Sequence, residues 1–315
     1  MALRIAFLGT PDFAVPSLQA LVAAGHRVIA VFTQPDRPRG RGHEPAACPV
    51  KQAAIRLNIP VHQPVKIRQP ETVELLRGLN LDAMAVVAYG QIIPQSIIDV
   101  PPLGIINVHG SLLPQYRGAA PIQWAIAEGE TRTGVTTMRI DAGLDTGDIL
   151  LAWECEIGPD ETAAELSVRL AEAGAGLLVK TLDGLASGLV KPVAQDHSQA
   201  SHAPTLKKED GLVDWTWPAA RIHNRVRGFQ PWPGAYTSFR GELLKIWRTA
   251  RTMTFTEADP GEVLAEGGRM FVACGDGRAI ELLEVQLAGG KRLSASVFLN
   301  GHPLREEEIL GESTS

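Results

Sequence analysis

The sequence has few cysteines, no long apolar run and no strong net charge. Its three cysteines, Cys48, Cys155 and Cys274, are odd in number and widely spaced. That argues against a secreted disulfide scaffold and for a reducing compartment. No run of about 18 apolar residues is present, so no membrane-spanning helix is predicted. The start carries Arg4 and then a Pro-Asp turn instead of the apolar core of a signal peptide. We therefore expect a cytoplasmic protein with no membrane partner.

Two common kinds of binding site are also missing. The segment FLGTPDF (7–13) lacks the Gly-x-Gly-x-x-Gly fingerprint, which disfavours a nicotinamide-dependent dehydrogenase. The segment DAGLDTGD (141–148) resembles a calcium loop in its acids, but it lacks the EF-hand spacing and the closing Glu. His43 and Cys48 alone do not make a zinc site. We expect no bound metal.

Length and composition are those of a globular protein. The chain has 315 residues, of which 45% are hydrophobic and 21% charged, and this predicts about two domains. The net charge of −5 does not by itself suggest a nucleic-acid partner. Residues 205–251, however, hold nine Lys or Arg against four acids. A basic region on an acidic chain can bind a polyanion, although an ordinary solvated face has the same composition.

The first half of the sequence alternates apolar runs with helical patterns. Short runs rich in β-formers predict buried strands at 3–9, 27–33, 82–89 and 105–109. Helical spacing of apolar residues predicts helices at 13–25, 50–57, 71–79, 119–128 and 162–188. A hairpin-like pair is expected at 134–140 and 149–157. This alternation favours an α/β fold with an open, mostly parallel Rossmann-like sheet.

The pattern changes after residue 188. Residues 189–206 lack periodicity and are interpreted as a linker. From residue 213 onward, a helix at 218–227 and several short strands with Gly and Pro turns predict a small barrel or sandwich. Of these two we expect an OB-like β-barrel. We therefore expect a first domain at 1–188 and a second at 207–315.

Polar side chains follow two neighbouring apolar runs. Asn107 and His109 are two residues apart in a predicted strand, so both project from one face. Asn107 can donate an N–H to a developing oxyanion, and His109 can stabilise that charge or move a proton. Asp145 lies in the polar loop after the next apolar run, and two strands that each end in such a loop would form a cleft. The alternative is a turn-capping Asn and a hydrogen-bonded core His.

The motifs HGSLLPQYRGAAP (109–121) and DAGLDTGD (141–148) together resemble the folate-dependent formyltransferases. Further matching motifs are FLGTPDFAVPSL (7–18), TQPDRPRGRG (33–42), GAAPIQWAI (118–126) and GFQPWPGAYT (228–237). The resemblance is to the members that formylate the α-amino group of methionine charged on initiator tRNA. Sugar-nucleotide formyltransferases share the SLLP core, but they resemble this sequence less in the DAGLDTGD loop.

The resemblance implies roles for individual residues. It implies catalysis by Asn107, His109 and Asp145, with 10-formyltetrahydrofolate as the formyl donor. The folate-binding residues that it implies are Ser111, Leu112, Leu113, Pro114, Tyr89 and Gly90. The resemblance also implies that an Arg-rich loop and the basic second domain bind tRNA. The tRNA-binding residues that it implies are Arg37, Arg39, Arg41, Lys207 and Lys208.

Other interpretations remain open. The runner-up function is a sugar-nucleotide formyltransferase, and a third class is a catalytically silent RNA-binding module. The Arg-rich loop has a plain alternative as a solvated loop. Trp215, Trp217 and Trp232 are expected to pack in a core rather than to stack on bases. We expect a monomer, since nothing in the sequence demands a dimer.

Overall fold

The computed structural model describes residues 2–38 and 45–311. The chain forms two compact units. The first comprises Met1–Pro121, Thr133–Cys155 and Ser167–Ala203, and the second comprises Ile122–Arg132, Glu156–Leu166 and Pro204–Ser315. The domain limits expected from the sequence stay predictions.

The strands are numbered in chain order. They are β1 (Arg4–Gly9), β2 (Arg27–Phe32), β3 (Arg37–Pro38), β4 (Pro45–Ala46), β5 (Val61–His62), β6 (Ala83–Val87), β7 (Ile105–His109), β8 (Arg117–Gly118), β9 (Arg132–Arg139), β10 (Ile149–Glu156), β11 (His202–Ala203), β12 (Ala235–Phe239), β13 (Glu242–Phe255), β14 (Val263–Glu266), β15 (Arg269–Ala273), β16 (Arg278–Leu287) and β17 (Leu293–Ser294).

The helices are numbered in the same way. They are α1 (Val15–Ala23), α2 (Pro49–Arg56), α3 (Pro70–Gly78), α4 (Gln95–Ile98), α5 (Pro121–Ala127), α6 (Ala163–Ala186), α7 (Ala219–Gly228) and α8 (Ala295–Gly301). Within the described ranges, no helix has the length and apolar character needed to cross a membrane.

A seven-stranded sheet organises the first unit, in the order β10-β9-β7-β6-β1-β2-β5. The pairs from β7 through β6, β1 and β2 to β5 are parallel, whereas β7 and β9 are antiparallel. The central strand β6 is buried along its whole length, as its sequence AMAVV requires, because helices cover both faces of such sheets. The predicted mostly parallel Rossmann-like sheet is confirmed.

Helix α6 lies very close to the sheet at one glycine. A Cβ built on Gly174 would lie 2.8 Å from Cγ1 of Val108 in β7 and 3.2 Å from Cγ1 of Val135 in β9. Both valines are branched at Cβ and have little rotamer freedom to move away. The absent side chain therefore allows the helix to approach the strand that carries Asn107 and His109.

An antiparallel sheet organises the second unit, in the order β12-β13-β16-β15-β14 with β17 on β16. Its apolar side chains form one core with α7 and α8, which is consistent with the predicted barrel-like domain. Two details differ from the sequence prediction. Strand β13 is 14 residues long rather than short, because its exposed end at Phe255 still pairs with Arg278 of β16. Helix α8 was not predicted because it is only seven residues long.

The glycines of α6 give a matched test of this packing. Gly176 is exposed, and a Cβ there would meet nothing within 4 Å. We expect Gly176→Ala to raise the free energy of unfolding by up to about 1 kcal/mol through helix propensity. Gly174→Ala is expected to lower it by about 1–3 kcal/mol through overpacking. Urea denaturation followed by circular dichroism measures both, and equal stability of the two variants would rule out the close contact as a constraint.

Candidate active site

The predicted polar strand lies inside the sheet of the first unit. β7 is bordered by β6, where Asn107 pairs with Val86, and by β9, where His109 pairs with Thr136. His109 is only 5% exposed and Asn107 is half-buried. A buried polar side chain needs a hydrogen-bonding partner, so its contacts indicate how it is used.

The structure brings the three predicted catalytic residues together at the carboxylate of Asp145. Asn107 Nδ2 lies 3.5 Å from Oδ1 of Asp145, and His109 Nδ1 lies 3.6 Å from Oδ2. The backbone N–H of Gly118 donates to Oδ2 at 2.9 Å. One carboxylate therefore faces the amide, the imidazole and the loop that follows β7.

The reason for this convergence differs from the one expected. Strand β9 runs antiparallel to β7, so its carboxyl end does not lie beside the carboxyl end of β7. The loop of residues 140–148 instead brings the Asp145 carboxylate to the side chains of Asn107 and His109. Asp145 adopts a left-handed backbone with φ of 52°, a conformation that few residues other than Gly, Asn and Asp tolerate. Such backbone strain is typical of functional sites.

The tautomer of His109 follows from its second contact. Nε2 lies 2.9 Å from the backbone oxygen of Tyr116, and a carbonyl oxygen only accepts hydrogen bonds. Nε2 therefore carries a proton, and Nδ1 is the nitrogen that faces Asp145. A proton on Nδ1 would bridge the ring and the carboxylate.

The loop between β7 and β8 is held by an internal hydrogen bond of Ser111 and by two hydrogen bonds to Thr136 of β9. Ser111 is fully buried, and its hydroxyl donates to the carbonyl of Gln115 at 2.6 Å. Thr136 Oγ1 donates to the Ser111 carbonyl at 2.7 Å and accepts from the Leu113 N–H at 3.1 Å. Leu113 is buried, while Leu112 and Pro114 are half-buried. The predicted folate-binding segment is thus a fixed apolar loop beside the three polar residues.

Tyr89 and Gly90 follow β6 in an unusual backbone conformation. Ala88 and Gly90 both have positive φ, and the Tyr89 carbonyl accepts from Thr10 Oγ1 and Gln34 Nε2 at 3.1 Å each. The Tyr89 side chain is 1% exposed, and burial raises the pKa of its hydroxyl to about 12. Among the described residues, this hydroxyl has no hydrogen-bond partner. The side chain packs in a core cluster with Ile67, Ile93 and Ile97.

The acids of the DAGLDTGD loop have separate protein partners. Asp141 accepts from the Gly143 N–H at 3.0 Å and from Thr146 Oγ1 at 2.7 Å, so it closes the loop on itself. Asp145 faces His109 instead. Within residues 2–38 and 45–311, no group of three His, Cys, Asp or Glu side chains is arranged to hold a metal ion.

Only some of the predicted tRNA-binding residues lie within the described part of the chain. Arg37 lies in β3, while Arg39 and Arg41 fall outside the described residues. Lys207 and Lys208 are exposed, and Lys208 begins a short 3₁₀ helix, Lys208–Gly211. These assignments stay predictions.

The expectation that three tryptophans pack in a core is only partly met. Trp215 is 5% exposed, and Trp217 packs against the core of the second unit. For Trp232 the expectation is wrong, because it is 54% exposed and lines a surface cavity of about 220 Å³ with Lys208 and Lys245. The prolines on both sides of Trp232 place it in a turn rather than in a strand.

Sequence reasoning missed the backbone groups that orient the three polar residues. The Tyr116 carbonyl and the Gly118 N–H have no side-chain chemistry that a motif could reveal. The available signal was glycine: Gly118 has φ of 121°, and a Cβ there would lie 2.6 Å from the Ala203 carbonyl oxygen. A fixed glycine after a buried strand indicates close backbone approach.

The comparisons with known proteins agree with this geometry. A family model described as "Formyl transferase" matches residues 3–182, and one described as "Formyl transferase, C-terminal domain" matches residues 205–303. A methionyl-tRNA formyltransferase from Solibacter usitatus is 63% identical over 310 residues, covering 98% of this chain and 99% of the relative. Another from Trichlorobacter lovleyi is 52% identical over 302 residues, covering 96% and 95%.

A solved structure shares the fold. The crystal structure of a sugar 3N-formyl transferase, in the presence of dTDP and 5-N-formyl-THF, aligns with a TM-score of 0.68 and 19% identity. It covers 92% of this chain and 100% of that chain, and at this identity it shows the fold alone. The two family models and the full-length relatives show more: the chain belongs to the formyl transferase family.

Proposed function

We propose that the protein transfers the formyl group of 10-formyltetrahydrofolate to the α-amino group of methionine charged on initiator tRNA. The observation that carries this proposal is the convergence of Asn107, His109 and Asp145 in a member of the formyl transferase family. Relatives at 63% and 52% identity over nearly the full chain bear the name methionyl-tRNA formyltransferase. The names of these relatives favour this acceptor over an amino-sugar nucleotide.

In the proposed reaction, the acceptor nitrogen attacks the formyl carbon. The bond between the formyl carbon and the donor nitrogen then breaks. The proton lost by the acceptor amine ends on the tetrahydrofolate nitrogen. The carbonyl oxygen carries negative charge in the tetrahedral intermediate. Asn107 has a second N–H beyond the one that faces Asp145, and this N–H is available to the oxyanion. Losing such a donor typically costs a factor of about 100–1,000 in kcat.

His109 and Asp145 move the proton in this scheme. The Nδ1 atom that faces Asp145 takes up the proton released by the attacking amine, directly or through water, and Asp145 stabilises the ring while it is charged. The Tyr116 carbonyl holds the ring by its other nitrogen, so His109 is oriented before substrate arrives. No covalent link between enzyme and substrate is required.

We place the donor beside the loop Ser111–Pro114 and the turn that contains Tyr89 and Gly90. These are two loop segments after adjacent parallel strands, β6 and β7, and ligands of open α/β sheets bind at such ends. Leu112, Leu113 and Pro114 offer apolar surface for the pterin ring. The hydroxyl of Tyr89 is a buried group without a partner among the described residues.

We place the tRNA on two basic segments. One is the loop with Arg37, Arg39 and Arg41, and the other includes Lys207 and Lys208 at the start of the proposed second domain. The nine Lys or Arg of residues 205–251 supply the surrounding positive charge. Phosphate contacts of this kind bind RNA irrespective of sequence and weaken with salt.

Asp145→Asn tests the catalytic proposal. Asn tolerates the left-handed backbone, so the fold is expected to remain, but its amide cannot stabilise a charged imidazole. We expect kcat to fall by a factor of about 100 or more, with the KM for both substrates little changed. Steady-state kinetics and circular dichroism measure this, and near-normal turnover in a folded variant would refute the role of Asp145.

The identity of the acceptor is tested by direct competition. Single-turnover assays with formyl-folate are run with charged initiator tRNA in one arm and an amino-sugar nucleotide in the other. We expect formyl transfer in the tRNA arm. Transfer only to the sugar nucleotide would identify the runner-up function, and transfer to neither in a folded protein would indicate an RNA-binding module without catalysis.

Salt dependence tests the tRNA contacts. We expect the KM for charged tRNA to rise steeply with salt, and Arg39→Ala to reduce the slope of log KM against log salt by about 1 for each phosphate that Arg39 binds. Arg56→Ala on the exposed face of α2 removes the same charge and serves as the control. A flat salt response, or an equal effect of both substitutions, would count against the assignment.

A further inference from the structure

The segment after α6 contains one buried polar residue among exposed neighbours. Leu189 and Val193 are 84% and 62% exposed, yet Gln195 is only 6% exposed. Burial of an amide next to exposed apolar side chains is the reverse of the hydrophobic pattern. Specific hydrogen bonds must therefore hold Gln195 in place.

The amide of Gln195 uses both of its polar atoms. Nε2 donates to the backbone carbonyls of Asp145 at 2.9 Å and Gly147 at 2.7 Å. Oε1 accepts from Arg117 Nη2 at 2.7 Å and Nε at 3.1 Å. Carbonyls only accept and a guanidinium only donates, so these four contacts fix which side-chain atom is oxygen and which is nitrogen.

Arg117 extends this network on the other side. It is 5% exposed, and its Nη2 also donates to Nδ1 of His197 at 3.0 Å. Its backbone N–H donates to the Ser201 carbonyl at 2.9 Å, and β8 pairs in parallel with β11. The loop after β7 is therefore bound along its edge by residues 195–203.

These contacts close a ring around Asp145. The carboxylate of Asp145 accepts from the backbone N–H of Gly118. Arg117, the residue before Gly118, donates from its side chain to Gln195. Gln195 in turn donates to the backbone carbonyl of Asp145. Gly147 completes the tight turn, since a Cβ there would lie 2.0 Å from the Arg139 carbonyl oxygen. Backbone and side chain of Asp145 are thus fixed by two independent segments.

We propose that Gln195, supported by Arg117, is a positioning residue that sets the Asp145 carboxylate against His109. This inference rests on the proposed role of Asp145 in formyl transfer. Gln195 itself contacts no reacting atom in the scheme. A misplacement of about 1 Å can cost a factor of 100 in rate, so its removal should lower kcat rather than substrate binding.

Two size-matched substitutions test the proposal. Gln195→Met removes every hydrogen bond without adding charge, and Gln195→Glu keeps an acceptor for Arg117 but loses both donors to the loop carbonyls. We expect each to lower kcat by about 10- to 100-fold, with the KM for formyl-folate and charged tRNA nearly unchanged. Gln199→Ala, an exposed position of the same segment, is the control and should retain wild-type kcat and KM.

A double-mutant cycle distinguishes positioning from a general loss of structure. If Gln195 acts through Asp145, Gln195→Met should change the single-turnover rate of Asp145→Asn, measured with enzyme in excess, by no more than about twofold. The same loss in both backgrounds would overturn the proposal. So would wild-type kcat in Gln195→Met, or a loss confined to Gln195→Glu, which would reflect charge repulsion.

Crystal structures of the variants give a readout that does not depend on rate. In Gln195→Met, the Asp145 carboxylate should move away from His109 Nδ1, from which it lies 3.6 Å here. A lowered kcat with this carboxylate unmoved would contradict the proposal. Failure of the proposed role of Asp145 would show itself separately, as normal turnover in Asp145→Asn alone. Failure of the proposed function would show itself as no formyl transfer to charged tRNA by the wild-type protein.

Discussion

The position of one carboxylate, that of Asp145, determines what the polar residues of β7 can do. Without it, Asn107 and His109 would be two polar side chains on a buried strand. With it, the amide and the imidazole face one shared acceptor. The left-handed backbone of Asp145 is unfavourable by itself, so surrounding hydrogen bonds must over-determine it. Hydrogen bonds from Gly118 and Gln195 provide this constraint.

The antiparallel pairing of β9 with β7 makes this possible. Because β9 runs opposite to β7, its carboxyl end lies beside the start of β7, where Arg139 pairs with Ile106. The loop to β10 leaves from that point, and its Asp145 reaches the side chains on β7. The loop between β9 and β10 thus brings a carboxylate to the buried strand β7. Helix α6 packs against Val108 of the same strand at Gly174.

The sequence was sufficient for the main elements and for the three polar residues. Continuous apolar runs predicted the strands, and β7 was placed at Ile105–His109 as found, because buried parallel strands depend on local composition. The direction of β9 relative to β7 was not predictable, since the sequence of a hairpin-like pair does not determine which strand of the sheet it pairs with. The contacts of Tyr116 and Gly118 use backbone groups, which no sequence motif reveals. Gln195 contacts a residue 50 positions away, and it lies in a short segment without periodicity, so its contact could not be predicted either.

The contacts of Gln195 show that the segment predicted as a linker, residues 189–206, includes residues that pack against the first unit. The family models match 3–182 and 205–303, and the residues between them show no motif. Yet Gln195, His197 and Ser201 all bind the loop that carries Tyr116 and Arg117. Residues up to Ala203 accordingly belong to the first compact unit. A catalytic fragment that stopped at residue 188 would lack the hydrogen bonds that fix Asp145, even with every motif residue present.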